Sequence, residues 1–248
     1  MSGWIGFTGF GVVVLAALLV LGIALLGGGK TFFFRDIPAF LNLRKAIRLA
    51  VEDGSRLHVT LGHSSLTTPQ SASAFAGLAL LKESGSLASA GDHPPVATSG
   101  EPVLFILSQD TLQTAAGKST RAIFDPAACR LTGLTPFSYA AGALPMISDE
   151  KVSANVLMGT FGTELALLQE AIDRQNTFGL AGSDNLTAQS IIYALTHEPL
   201  IGEEIFATGA YLKQDRFRSA SLVAQDGLRW LIIAVILVGA LLALLGVV

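Results

Sequence analysis

The sequence predicts an α/β protein in which helices cover a mostly parallel sheet, with one transmembrane helix flanking each end of the chain. Two long apolar runs without a single charge predict the membrane helices. Between them, short apolar stretches alternate with helical ones, which is typical of a parallel sheet. These apolar stretches lack the alternating polar face of a half-exposed strand, so helices are expected on both faces of the sheet.

The two apolar runs are long enough to cross a bilayer, which takes about 20 apolar residues. Residues 10–26 read FGVVVLAALLVLGIALL behind an aromatic lead-in that begins at Trp4, and residues 230–248 read WLIIAVILVGALLALLGVV. No Lys or Arg precedes the first run, so an uncleaved anchor is predicted rather than a signal peptide. The predicted spans are 4–29 and 229–248, and the domain between them is 30–228.

Charge placement predicts the orientation of the spans. All sixteen Lys and Arg residues lie between Lys30 and Arg229. Basic residues near span ends favour the cytoplasmic face. The domain is therefore expected in the cytoplasm, with both termini outside.

The overall composition disfavours two classes of partner. A net charge of −3 disfavours a nucleic-acid partner, which would require a basic surface. Cys129 is the one cysteine, so neither an internal disulfide nor a cysteine-based metal site is expected.

Local patterns predict the elements of the domain. Asp36-Ile37-Pro38 predicts a helix start with Asp36 as the cap, and this helix either lies on lipid headgroups or is the first helix of the domain. Strands are predicted at 56–62, 102–107, 130–134, 155–161 and 178–181. Helices are predicted at 69–83, 111–116, 137–147, 164–174, 186–196 and 199–212, and a surface loop at 84–101.

Polar residues that follow the predicted strands are the candidate ligand-binding residues, because ligands of open parallel sheets bind beyond the carboxyl ends of the strands. The alternative is that they cap helices and form turns. The candidates are His63, Ser64, Asp110, Glu164, Asp184 and Asn185.

Several motifs approach known chemistry without completing it. Gly117-Lys118-Ser119 lacks the first glycine of a P-loop, and residues 62–66 (GHSSL) lack the last glycine of a nucleophile elbow. His58 and His63 are five residues apart on or near a strand, so they point to opposite faces and cannot share a metal. No catalytic residue, metal or cofactor is therefore predicted.

Four segments together resemble an uncharacterised family of bacterial two-span membrane proteins, frequent in filamentous green bacteria. They are AVEDGSRLHVTLG (50–62), LTGLTPFSYAAGALPMISDE (131–150), LIGEEIFATGAYL (200–212) and LVAQDGLRW (222–230). The resemblance implies a protein of the bacterial inner membrane, and it implies no catalytic residue.

The function predicted first is a non-enzymatic, membrane-anchored assembly or scaffold protein. It would associate with copies of itself or with other membrane proteins through small-residue helices at 137–147 and 203–212. The expected partners are the lipid bilayer and these proteins, with no nucleic acid. One alternative is a sensor that binds a small polar ligand in the strand-end crevice. Another is an enzyme with an unfamiliar site there, around His63, Asp110, Glu164 and Asp184.

Overall fold

A computed structural model describes residues 2–26, 35–66, 71–89, 91–117, 124–149, 151–212 and 216–244. The chain divides into two compact units. One unit combines Met1–Arg35 with Gln214–Val248, and the other is Asp36–Lys213.

The first unit contains two long helices that pack against each other, α1 (Ser2–Leu26) and α9 (Arg216–Leu244). Within α9, Ser219–Leu244 is long and apolar enough to cross a bilayer, with a mean hydropathy of 2.4. In α1 the corresponding apolar stretch is shorter, Gly9–Ile23. The predicted residues 27–29 of the first span lie outside the described residues. The C-terminal apolar helix is thus present, and the N-terminal span stays a prediction.

The second unit alternates strands with helices. The strands are β1 (Arg56–Gly62), β2 (Val96–Ser99), β3 (Cys129–Leu131), β4 (Val152–Thr160), β5 (Phe178–Ser183) and β6 (Glu198–Leu200). The helices are α2 (Pro38–Glu52), α3 (Ser71–Ala88), α4 (Pro102–Ala116), α5 (Pro136–Asp149), α6 (Leu165–Arg174), α7 (Leu186–Leu195) and α8 (Glu204–Leu212), with a 3-10 turn at Pro126–Ala128.

All six strands form one parallel sheet in the order β3-β2-β1-β4-β5-β6. The predicted parallel α/β sheet is therefore confirmed. This order is that of a doubly wound sheet, in which the direction of winding reverses between β1 and β4. A crevice opens at such a reversal, because the connections from the two central strands leave toward opposite faces.

Two apolar clusters cover the two faces of the sheet. The first joins buried residues of α2, α3, α4 and α8 to the sheet, with Phe40, Leu80 and Ile205 among them. The second joins α5, α6 and α7 to the sheet around Tyr139 and Phe161. Both central strands are buried on both faces, so the polar residues His58 and Thr60 of β1 are as buried as its apolar ones.

The predicted strand 102–107 is wrong, because these residues begin α4. The Leu104 N–H donates to the carboxylate of Glu101 (2.6 Å), and Pro102 occupies the first turn, where a missing N–H costs nothing. The buried residues Leu104, Ser108 and Leu112 recur at helical spacing through the element.

The strand beside β1 is instead β2, which lies inside the predicted loop 84–101. Helix α3 also extends into that segment, as far as Ala88. The strand has only four residues, and it follows Pro94-Pro95, so its pattern is shorter than a strand signal needs.

Two further predictions need correction. The predicted helix 199–212 is divided into β6 and α8, because Gly202 between them adopts a left-handed φ of 63°. Helix α2 begins at Pro38 as predicted, but its N-cap residue is Ile37 rather than Asp36, without a side-chain hydrogen bond.

Helix α2 is joined to the end of α8. Arg44 Nη2 donates to the carbonyls of Tyr211 (2.8 Å) and Leu212 (2.6 Å), two of the carbonyls that a helix end leaves without partners. The ring of Phe40 stacks on Tyr211 with centroids 5.2 Å apart. Helix α2 is therefore the first helix of the domain, and its apolar face is buried there.

Candidate functional site

Five of the six candidate residues lie at the carboxyl edge of the sheet. His63 and Ser64 follow β1, Glu164 follows β4, and Asp184 and Asn185 follow β5. The parallel arrangement brings these three segments together around the reversal between β1 and β4.

Asp110 does not join them. It lies in the middle of α4 and is exposed, because the segment before it is helix rather than strand.

Ser64 ties β1 to β4. Its Oγ accepts a hydrogen bond from the Thr160 N–H (2.6 Å) and donates to the Leu61 carbonyl (3.2 Å), and the residue is fully buried. Both functions of the hydroxyl are used within the fold. Ser64 therefore shapes the crevice by holding the ends of β1 and β4 together.

A chain of hydroxyls leads from α3 to Asp184. Thr160 Oγ1 donates to Asp184 Oδ2 (3.1 Å), since an ionised carboxylate can only accept. The Ser73 hydroxyl lies 2.9 Å from Thr160 Oγ1 and must then be the donor. The second carboxylate oxygen, Asp184 Oδ1, is buried and has no hydrogen-bond partner among the described residues.

His63 lies over the end of β1. The backbone N–H of His63 donates to the Thr160 carbonyl (2.9 Å). The His63 ring packs so closely on Gly100 that a Cβ added to Gly100 would lie 2.4 Å from Cε1 of the ring. Burial lowers the pKa of His63, against the opposing effects of the Glu164 charge and the Gly100 carbonyl. The imidazole is therefore neutral at pH 7, and its buried Nε2 has no partner among the described residues.

Tyr139, from α5, completes the group and was not predicted as a site residue. Its fully buried ring meets His63 edge-on at 4.8 Å. The hydroxyl approaches Thr98 and the Gly62 backbone but makes no hydrogen bond of normal geometry with a described residue. Burial raises the pKa of Tyr139 far above its usual value, so the phenol stays protonated.

Glu164 and Asn185 have local partners. Glu164 is 2% exposed, and its Oε1 accepts from the Gly162 N–H (2.7 Å). Asn185 caps α7, with its Oδ1 accepting from the Thr187 N–H (2.9 Å). The helix-cap interpretation is therefore confirmed for Asn185.

At this edge of the sheet, Asp184 Oδ1 can accept a hydrogen bond and the Tyr139 hydroxyl can donate one. The sequence missed Thr160, Ser73 and Tyr139. Thr160 ends a recognisable strand and was within reach of the same strand-end rule. Tyr139 comes from α5, far along the chain from β1, and no local pattern indicates that contact.

A cavity of about 310 Å³ lies at the opposite edge of the sheet, near the start of β1. Its lining includes Arg56, Asp92 and Asp125 with an apolar wall of Leu112 and Phe124. None of the predicted site residues contributes to it.

The strand order defines a doubly wound α/β protein, and polar residues lie where this order reverses. The family described as "Domain of unknown function (DUF6754)" matches residues 7–248, so the chain belongs to this family. The predicted membership of an uncharacterised family is thereby confirmed. No curated protein and no solved structure shows a significant match to the chain.

Proposed function

We propose that this protein is a membrane-anchored binding module that holds a small polar ligand in the crevice between β1 and β4. The observation that carries the proposal is the set of buried polar atoms there without hydrogen-bond partners among the described residues: Asp184 Oδ1, His63 Nε2 and the Tyr139 hydroxyl. Each such atom costs about 1–3 kcal/mol when no partner is present. A ligand that supplies the missing partners recovers this free energy.

The hydrogen bonds of the buried serines favour a binding role over catalysis. Two fully buried serines at the ends of β1 and β5, Ser64 and Ser183, accept hydrogen bonds from the backbone N–H groups of Thr160 and Phe161. Neither is positioned as a nucleophile with a free base beside it.

The test is equilibrium dialysis of the full chain, in mild detergent, against an extract of bacterial small molecules, followed by mass spectrometry. At least one molecule is expected to be enriched by the wild type and not by Asp184→Ala. The matched control is Asp110→Ala, which removes an exposed carboxylate outside the crevice and keeps the enrichment. Enrichment of no molecule by the wild type would exclude the binding function.

The membrane anchoring is part of the proposal. It combines two spans, a cytoplasmic domain and both termini outside the cell, in a bacterial inner membrane. The long apolar stretch of α9 and the packing of α1 on α9 support a helical hairpin in the bilayer.

Self-assembly is a second candidate, and the exposure of two aromatic residues favours it. On the two helices expected to make contacts, Phe137 of α5 is 62% exposed and Phe206 of α8 is 46% exposed. Leu134, just before α5, is 66% exposed. Apolar side chains left in solvent at these places are suited to contacts between copies.

Mass photometry of the detergent-extracted protein over a dilution series tests this candidate. We expect oligomers that dissociate on dilution and that Phe137→Ser weakens. Phe75→Ser, on α3 with a similarly exposed ring (59%), is the control and leaves the distribution unchanged. A monomer at every concentration would remove the assembly function.

A further inference from the structure

The carboxyl edge of the sheet has an unusual charge balance. The segments that lead from the end of each strand to the next helix contain four carboxylates and no Lys or Arg. The four are Glu101, Glu164, Asp184 and Glu203, and Glu204 begins α8. His63, the one histidine of these segments, is neutral at pH 7 because burial lowers its pKa. These connecting segments therefore carry a net negative charge.

In the turn before α6, the described backbone donors that could hold an anion are already engaged. The N–H of Phe161 donates to Ser183 Oγ (3.2 Å), and that of Gly162 donates to Glu164. The first amides of α6 bond within the turn, Leu165 N–H to the Gly162 carbonyl and Ala166 N–H to that of Thr163. The phosphate cradle that a helix N-terminus usually offers is thus filled by the protein's own groups.

Carboxylates also occupy the start of α4. The side chain of Glu101 accepts from the Leu104 N–H there, so an anion approaching this helix would meet a negative charge at a distance where repulsion is strong. A nucleotide or another phosphorylated ligand is disfavoured at all three of the helices α4, α6 and α7, since Asp184 stands before the last of them.

Among these carboxylates, Asp184 has an oxygen that lacks a hydrogen-bond donor within the described part of the chain. Asp184 Oδ1 is buried and faces no donor among the described residues, while its sister oxygen is held by Thr160. The fully buried Tyr139 hydroxyl, close to the end of β1, independently marks the same edge as a place with unused hydrogen-bonding capacity. A cation carrying N–H donors would satisfy the carboxylate by a charge-assisted hydrogen bond.

Resting on the proposed binding function, we infer that the ligand of the crevice is a small organic cation with N–H donors, an amine or a guanidinium compound. Asp184 is its anionic partner. Glu164, which is nearly fully buried, contributes its charge at longer range.

Thermal unfolding of the full chain in detergent tests the chemical class. Agmatine and putrescine serve as N–H cations, tetramethylammonium as a cation without donors, myo-inositol as a neutral polyol, and ATP as an anion. Agmatine or putrescine is expected to raise the melting temperature saturably, and tetramethylammonium is not. In Asp184→Asn the apparent affinity should fall about ten- to hundredfold, as expected for loss of a hydrogen bond to a charged group. Asp110→Asn should leave it unchanged.

Gly100→Ala is a second variant, which alters the crevice without removing a charge. The added methyl group displaces the His63 ring from its present position and should weaken agmatine binding, whereas Gly117→Ala, with its nearest atom at 3.5 Å, should not. A saturable shift with ATP or myo-inositol and none with the N–H cations would overturn the inference and leave the binding function intact. An equal response to agmatine in wild type and Asp184→Asn would also overturn it.

Discussion

At the scale of single residues, the sheet contains a polar group that no solvent reaches. His58 of β1 is fully buried, with Nδ1 3.1 Å from Asn155 Oδ1 and Nε2 2.9 Å from Thr98 Oγ1. The amide of Asn155 donates to Thr177 Oγ1 (3.0 Å), which leaves its oxygen to accept from His58. Burial lowers the pKa of His58 and so favours its neutral form, although the hydrogen bond to Asn155 opposes this effect.

This histidine makes stability depend on pH. Burial lowers the pKa of His58 from 6.5 to about 4. Below pH 6.5 the unfolded chain binds a proton that the folded chain does not accept until about pH 4, so the free energy of unfolding falls as pH falls through this window. The expected loss between pH 7 and pH 5 is roughly 2 kcal/mol.

Denaturant unfolding at the two pH values measures the effect. In His58→Gln the part of the pH dependence due to this group should disappear, even if the variant is less stable at pH 7. His93→Gln, at an exposed position, should keep the wild-type dependence. The same loss of stability in His58→Gln as in the wild type would contradict the assignment.

At the scale of elements, the ends of β1 and β4 approach each other too closely for a side chain. Gly62 has φ of +62°, and a Cβ there would lie 2.4 Å from the Thr160 carbonyl oxygen. Gly54 has a similar φ of +64° but no atom within 4 Å of its Cβ position.

Comparing alanine variants of the two glycines therefore distinguishes the cost of a left-handed backbone conformation from the cost of a steric clash with β4. Gly54→Ala should cost about 1 kcal/mol, the effect of a left-handed conformation alone. Gly62→Ala should cost at least about 2 kcal/mol, because strand displacement is added to the same strain. Chemical denaturation of both variants provides the comparison, and equal losses would show that the strand ends can separate freely.

Local patterns predicted most elements and missed those defined by distant partners. Strand β1 was predicted with its observed bounds because Leu57, Val59, Thr60 and Leu61 give it apolar and β-branched character. Strand β2 was missed because its four residues become a strand only through pairing with β1 and β3. The start of α4 was predicted as a strand, and this error placed Asp110 at the strand ends. The sequence Glu101-Pro102 already indicated the start of a helix.

The same limit applies to the site. The strand-end rule found His63, Glu164 and Asp184, because it needs only the ends of strands and a parallel sheet. Tyr139 depends on how α5 crosses from β3 back to β4, which is a property of the assembled sheet.

At the scale of the whole molecule, membrane topology is open to direct labelling. Cys129 is a poor reporter, because it is only 4% exposed and burial raises the pKa of its thiol. A lack of reaction of Cys129 with a thiol reagent would therefore not show on which side of the membrane the domain lies. Tyr193, which is 78% exposed, offers an accessible position on the domain.

In a Cys129→Ser background, Ser2→Cys should react with an impermeant maleimide in intact cells. Tyr193→Cys should react only after permeabilisation, since the domain is predicted on the cytoplasmic side. Labelling of Tyr193→Cys in intact cells, with none at Ser2→Cys, would reverse the predicted orientation.

The junction of α2 with α8 brings the first and last helices of the domain together. Phe40 stands near the start of the domain and Tyr211 near its end, yet their rings are stacked, and Arg44 holds the last carbonyls of α8. The domain thus returns its chain close to where it began, as in proteins that accept insertion into a host loop. A force that separates the two ends of the domain would load this stack and its pair of hydrogen bonds directly.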